Sequence, residues 1–298
     1  MESISPQGPW FASAAMSRDG ELTLFDSHCH LADRAYASDL ELTLSRARQA
    51  GVVGMLCVGY DLRSSGAAVS LAERHDDIWA AVGVHPHYAG EVASALPRLE
   101  TELRTLARHP KVVALGETGL DFYRDLSPRP AQRNVFRRQV EVSLELGLPL
   151  LVHDRDAHEE TLQVLREYYG GLRVSPGADP GAAPGGPERF RVGVMHCFSG
   201  DVGLAAACLD LGFHLSFAGP LTYPKSDQAR RTAASVPRER LLIETDCPYL
   251  APQSHRGRRN EPALVADVAR ALAEACGVGP SEIAATTTAN ARRLLGLG

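Results

Sequence analysis

Hydrophobic residues gather in short aliphatic runs at about residues 22–25, 52–58, 78–83, 111–115, 149–152, 191–195, 213–217 and 240–243. Each run stops abruptly at a polar group, which is the pattern of a strand buried on both faces. Between most of them apolar positions recur with helical spacing. The clearest helix spans 128–146: Ser127 as N-cap, Pro128 in the first helical position, Phe136, Val140 and Leu144 in one stripe, and Gly147 at the end. Eight strands separated mostly by helices predict an α/β chain folded as a (β/α)8 TIM barrel, one domain over 22–298. The competing arrangement, a doubly wound open sheet, gathers its ligands at one switch point. Here the polar groups that end the first, fourth, fifth, sixth and eighth runs all carry candidate chemistry, which favours the barrel. Two terminal helical stretches, about 261–276 and 280–295, are expected to complete its outer ring.

Two stretches fall outside this pattern. Residues 1–21 have neither the basic start nor the apolar core of a secretory signal and offer nothing to bury, so they are expected to be a disordered extension, with Met16 as an alternative start to Met1. SPGADPGAAPGGP at 175–187 is expected to be a flexible loop inserted on the N-terminal face, away from the chemistry.

The residues that end the strands carry the chemistry. They are His28 and His30 in FDSHCHL, Glu117 in VVALGETGLD, His153 in LPLLVHDR, His196 in VGVMHCFSG and Asp246 in LLIETDCPYL. In a parallel barrel all C-terminal strand ends meet on one face, so these six converge. The HxH pair points both imidazoles the same way, because side chains alternate along a strand. Neutral imidazole suits zinc and other first-row metals. Two divalent ions close together need an anionic bridge, for which Glu117 is the candidate; a salt bridge from Glu117 to Arg155 is the bland alternative. Asp246 can bind one ion and accept a proton from the attacking water. Asp121 is expected to orient its loop, and Asp154 and Asp156 to steady ligand histidines. His85 in VGVHPH could contact a scissile phosphate or leaving oxygen, with His87 structural. Arg256, Arg258 and Arg259 in SHRGRRNEP should hang over the site and offer bidentate donors to phosphate.

Composition narrows the possibilities. The apolar fraction of 44% is ample for a core, and no run approaches the roughly 18 apolar residues of a membrane span. The six cysteines have no CxxC or framework spacing, which predicts reduced thiols in a cytoplasmic protein. A net charge of −5 argues against coating long duplex DNA, though not against a phosphodiester held at a metal site. Walker A, GxGxxG and GxSxG motifs are absent from the sequence, so no nucleotide cofactor or serine nucleophile is expected. Many metal hydrolase barrels bridge their ions with a carbamylated lysine, but no lysine ends a strand here.

DSHCHL, VGVHPH, GETGLDFYRD, LVHDRDAHEETL, MHCFSG, ETDCPYLAP and RGRRNEP, in that order over about 24–295, resemble the successive signatures of the TatD family of metal-dependent deoxyribonucleases, within the amidohydrolase-like barrels. The resemblance implies a monomer-sized TIM barrel that holds two, sometimes more, divalent ions (zinc, magnesium or manganese) and cleaves DNA phosphodiesters, commonly from a 3′ end. Single-stranded ends are expected, because a narrow barrel mouth cannot take a duplex without unpairing it, and the protein is expected to be a monomer. The resemblance also implies His28, His30, Glu117, His153, His196 and Asp246 as metal ligands, and His85, Arg155, Ser199, Tyr249 and Arg256 at substrate positions. Thr118 stands where the family often has an aliphatic residue. The rivals are a small-molecule hydrolase acting on an amide, lactone or phosphoester, and a non-catalytic metal-binding scaffold.

Overall fold

The computed structural model describes residues 22–171 and 191–297; the extension at 1–21 and the insertion at 175–187 lie outside the described residues. Eight parallel strands form one sheet in sequence order: β1 (Leu24–Cys29), β2 (Val52–Val58), β3 (Ile78–Val82), β4 (Val112–Asp121), β5 (Leu150–Arg155), β6 (Gly193–Met195), β7 (His214–Phe217) and β8 (Leu241–Ile243). The helices are α1 (Leu40–Gln49), α2 (Leu62–Arg74), α3 (Ala89–Val92), α4 (Leu96–Ala107), α5 (Arg129–Leu146), α6 (His158–Tyr169), α7 (Val202–Asp210), α8 (Asp227–Ser235), α9 (Val265–Cys276) and α10 (Pro280–Leu295). The two sheet edges are joined just past β8: Asp246 N donates to His28 O at 2.9 Å and His30 N to Cys247 O at 2.8 Å. Buried Asp26 adds a lock, accepting from Thr245 N at 2.9 Å and Thr245 Oγ1 at 2.6 Å. The expected TIM barrel is therefore the observed one.

Two strands run further than their apolar stretches. β4 continues through Glu117 to Asp121, with a register shift between Leu115 and Thr118, and β5 continues through His153 to Arg155. A polar side chain at the barrel mouth does not end a strand, because the backbone still needs its ladder partners. Gly119 pairs with His153 at φ +138°, and a side chain there would fall onto the His153 carbonyl oxygen. Glycine lets β4 and β5 approach beside the site.

The barrel interior is filled by Phe25, Leu56, Val58, Leu151, Val194 and Leu242, alternate residues of their strands. Ala291, Leu294 and Leu295 of α10 belong to the same cluster. That helix also donates from Thr288 Oγ1 to Thr23 O and from Asn290 Nδ2 to Leu241 O, at the N-terminal ends of β1 and β8. It closes the floor of the barrel instead of only completing the ring, because its small and leucine positions form one stripe. Truncating Leu242 to alanine would cost about 2–5 kcal/mol.

The start of α5 departs from expectation. Pro128, not Ser127, occupies the N-cap position. The Ser127 hydroxyl donates to His87 O at 2.7 Å and accepts from Gly90 N at 2.9 Å, so it ties the helix to the loop after β3. Gly147 ends the helix at φ 65°, as the sequence predicts. Two buried amides of α5 reach the strand ends that carry the site. Gln139 accepts from Val84 N at 2.8 Å and donates to Val84 O and to Thr118 Oγ1; Gln132 accepts from Asp121 N at 2.9 Å. Thr118 thus serves as an internal hydrogen-bond partner where an aliphatic residue could not.

Candidate metal centre

Glu117 sits at the middle of the mouth, 3% exposed and ringed by imidazoles. Its Oε1 lies 2.9 Å from His153 Nδ1, 2.9 Å from His196 Nε2 and 3.4 Å from His85 Nε2. Its Oε2 lies 3.4 Å from His28 Nε2 and 3.7 Å from His30 Nε2. One carboxylate thus faces two imidazole groups, one through each oxygen. Asp246 completes the first group, with Oδ1 3.4 Å from His30 Nε2 and 3.8 Å from His28 Nε2. The backbone at Asp246 has φ 55°, a conformation aspartate tolerates better than most residues.

Three sets of donor atoms converge closely enough to hold an ion: His28, Glu117 and His196; His28, His30 and Asp246; His85, Glu117 and His153. The donors fit divalent metal. Five imidazoles and two carboxylates are gathered there, nearly all buried, and the cation proposed as an alternative partner is elsewhere: Arg155 lies over the Tyr123 ring at 4.1 Å. Buried carboxylates need a positive partner. Among the described residues only the imidazoles can supply one to Glu117 and Asp246.

The electrostatics express that need. Burial disfavours charge on His196, yet Glu117 and Glu244 outweigh it and raise the imidazole well above its ordinary range. Burial likewise opposes charge on His30, but Asp246 and Glu117 lift it to about 9. His28 moves down, because burial is reinforced by cationic His196 stacked on it at a centroid distance of 4.0 Å. Burial, with His153 nearby, lowers His85 to about 4 despite Glu117. Glu117 and Asp246 are both driven down by their imidazole neighbours against the penalty of burial.

Neighbouring groups hold the ligand rings. Glu244 Oε1 accepts from Cys197 N at 2.7 Å and lies 3.1 Å from His196 Nδ1. Val58 O lies 2.9 Å from His30 Nδ1. Asp121 accepts from Tyr123 N and Arg124 N, which orients its loop as expected, and its other oxygen sits 3.1 Å from His153 Nε2 and 2.9 Å from His87 Nε2. Asp154 contacts His158 Nδ1 at 2.7 Å, not a ligand histidine, and among the described residues Asp156 makes no hydrogen bond to one. Glu244 is not among the residues expected at the site, although it stands in the same ETD run as Asp246, directly after β8.

All six expected ligands come together. The five expected substrate residues are dispersed. His85 is 7% exposed and belongs to the ligand cluster itself. Arg155 is exposed beside Tyr123, Tyr249 is half exposed with its ring 6.1 Å from that of His30, and exposed Ser199 lines a small cavity with His196, Asp154 and His158. Arg256 lies over the Tyr223 ring at 4.1 Å. Of the three arginines expected over the site, Arg259 is not available. It pairs with Asp39 at 2.6 Å and covers Tyr36, because the loop after the eighth strand folds back against the start of α1.

Comparison with known proteins agrees with this geometry. The family model described as TatD related DNase matches residues 25–296. The chain is 39% identical to the uncharacterized metal-dependent hydrolase YabD of Bacillus subtilis over 274 residues, covering 91% of this chain and 98% of that protein. It is 38% identical to the 3′-5′ ssDNA/RNA exonuclease TatD of Pantoea ananatis over 280 residues, covering 92% and 100%. The crystal structure of YJJV, a TatD homologue from Escherichia coli, superposes with a TM-score of 0.77 at 28% identity, over 92% of this chain and 98% of that one. With its barrel, its mouth of histidines and carboxylates and a match over nearly its whole length, the chain belongs to the TatD-related DNase family of metal-dependent hydrolases.

Proposed function

We propose that this chain is a nuclease that hydrolyses phosphodiester bonds at single-stranded DNA ends, in the 3′-to-5′ direction, with two divalent ions held by His28, His30, Glu117, His153, His196 and Asp246. The observation that carries this reading is the position of Glu117, which offers one carboxylate oxygen to each of two imidazole groups. An imidazole-rich donor set favours zinc over magnesium or manganese, which prefer oxygen ligands. When bound, such ions lower the pKa of water and neutralise charge on phosphoryl oxygens. Asp246, beside His30 and His28, accepts the proton of the attacking water. Glu117 keeps both ion positions in register, and Glu244 and Asp121 keep His196 and His153 from turning. Arg155 has no ion-pair partner among the described residues and supplies a rim cation for the phosphate chain.

Relatives named as single-stranded DNA and RNA exonucleases support the substrate class. The test is metal-reconstituted protein assayed on 3′- and 5′-labelled single-stranded DNA and RNA, with small amide, lactone and phosphotriester substrates alongside. Stepwise shortening from the 3′ end of DNA is expected. Turnover confined to the small substrates would replace this proposal with the small-molecule hydrolase.

A further inference from the structure

We infer that the stacked pair Tyr60–Tyr88, flanked by Tyr249, is the seat for the base of the nucleotide whose phosphodiester bond is cut. This rests on the nuclease reading and adds to it a requirement for a base. Tyr60 follows β2 and Tyr88 follows β3, so both stand on loops at the mouth. Their ring centroids are 5.5 Å apart and their planes 23° from parallel. Tyr60 approaches the His30 ring edge-on at 5.7 Å, and Tyr249 approaches it at 6.1 Å. The pair therefore begins within one nucleotide's reach of the ligand cluster. Both rings are only half-buried, and neither hydroxyl has a hydrogen-bond partner among the described residues.

Charge sorts the parts of a nucleotide across the mouth. Burial together with Asp33 and Asp61 raises the pKa of the Tyr60 phenol, and burial with Asp61 and Glu91 does the same for Tyr88. Both rings stay neutral beside three carboxylates, Asp33, Asp61 and Glu91, with Arg63 the one cation acting on both, so the fringe is net anionic and disfavours phosphate. A neutral base tolerates that fringe and stacks on an aromatic face whatever its identity. Arg155, over Tyr123 at the end of β5, suits the anionic backbone. The base thus lies toward β2 and β3, and the phosphate chain toward β4 and β5.

The test compares metal-loaded wild type with Tyr60→Leu, Tyr88→Leu and Tyr60→Trp on single-stranded oligonucleotides ending in a normal or an abasic 3′ nucleotide. Wild type should prefer the base-bearing end by roughly 5- to 150-fold in kcat/KM, the range that base–aromatic stacking allows. Both leucine variants should bring that ratio toward one, and Tyr60→Trp should restore it. Binding is read separately with a phosphorothioate-blocked oligonucleotide carrying 2-aminopurine at its 3′ end, whose fluorescence should be quenched by wild type and not by Tyr60→Leu. Equal losses on both ends, or an unchanged ratio, would overturn the seat while leaving the nuclease reading in place. Failure of wild type to cut any oligonucleotide would overturn both.

Discussion

Glu244 Oε1 lies 3.1 Å from Nδ1 of His196, so that the opposite ring nitrogen is the one turned toward Glu117. A carboxylate on one imidazole nitrogen fixes the tautomer and makes the other a better ligand. Glu244→Ala should lower metal affinity about 10- to 100-fold, and Glu244→Gln, which keeps an acceptor but loses the charge, should lower it less. Competition with a fluorescent chelator measures both. Equal affinity in wild type and Glu244→Ala would remove Glu244 from the centre.

Glu117→Ala should abolish turnover and lower metal content from near two equivalents, because both imidazole groups lose the anion they share. Elemental analysis of protein purified without chelator is the check. A reproducible single equivalent in wild type with full activity would contradict the two-ion centre.

Asp246→Asn keeps the shape of the site and weakens the base. Turnover should fall by roughly 100-fold or more, in the range of general-base contributions, with KM changed much less. Wild-type turnover in this variant would show that another group takes the proton.

His30, lifted to about 9 by Asp246 and Glu117 against its burial, holds a proton at neutral pH in metal-free protein. Metal must displace that proton, so affinity should rise with pH until about 9 and loading should release protons. Calorimetry in two buffers of different ionisation enthalpy detects the release; identical heats would refute it. The sign for stability is opposite. A raised folded-state pKa stabilises metal-free protein below the ordinary imidazole value of about 6.5, and that contribution is lost as pH rises through about 9.

The rim arginines should separate by partner. Arg155 and Arg256 lie over tyrosines, whereas Arg259 is paired with Asp39, whose carboxyl it pulls down to about 2. Arg155→Ala and Arg256→Ala should raise KM for oligonucleotides and each reduce the salt slope by about one, with much less effect on a small chromogenic phosphodiester. Arg259→Ala should leave the slope alone. A reduced slope for Arg259→Ala with none for the other two would place the phosphate path on the opposite rim.

The barrel and its six candidate ligands were legible in the chain because strand burial and strand-end chemistry are local properties. Runs such as LLVHDR and LLIETD announce both the buried strand and the polar group at its mouth, and a parallel barrel brings all such ends to one face. The N-cap of α5 was misjudged because the Ser127 hydroxyl found partners in the loop after β3, which no local pattern reveals. Arg259 was misplaced for the same reason: its partner, Asp39, is distant in sequence. Which oxygen of Glu117 meets which ring, which carboxylate steadies His196, and how Tyr60 and Tyr88 come to stack are relations between strands. Sequence alone determined the kinds of residue available at the mouth. Only tertiary packing, which sets register, closure and loop return, decided which of them touch.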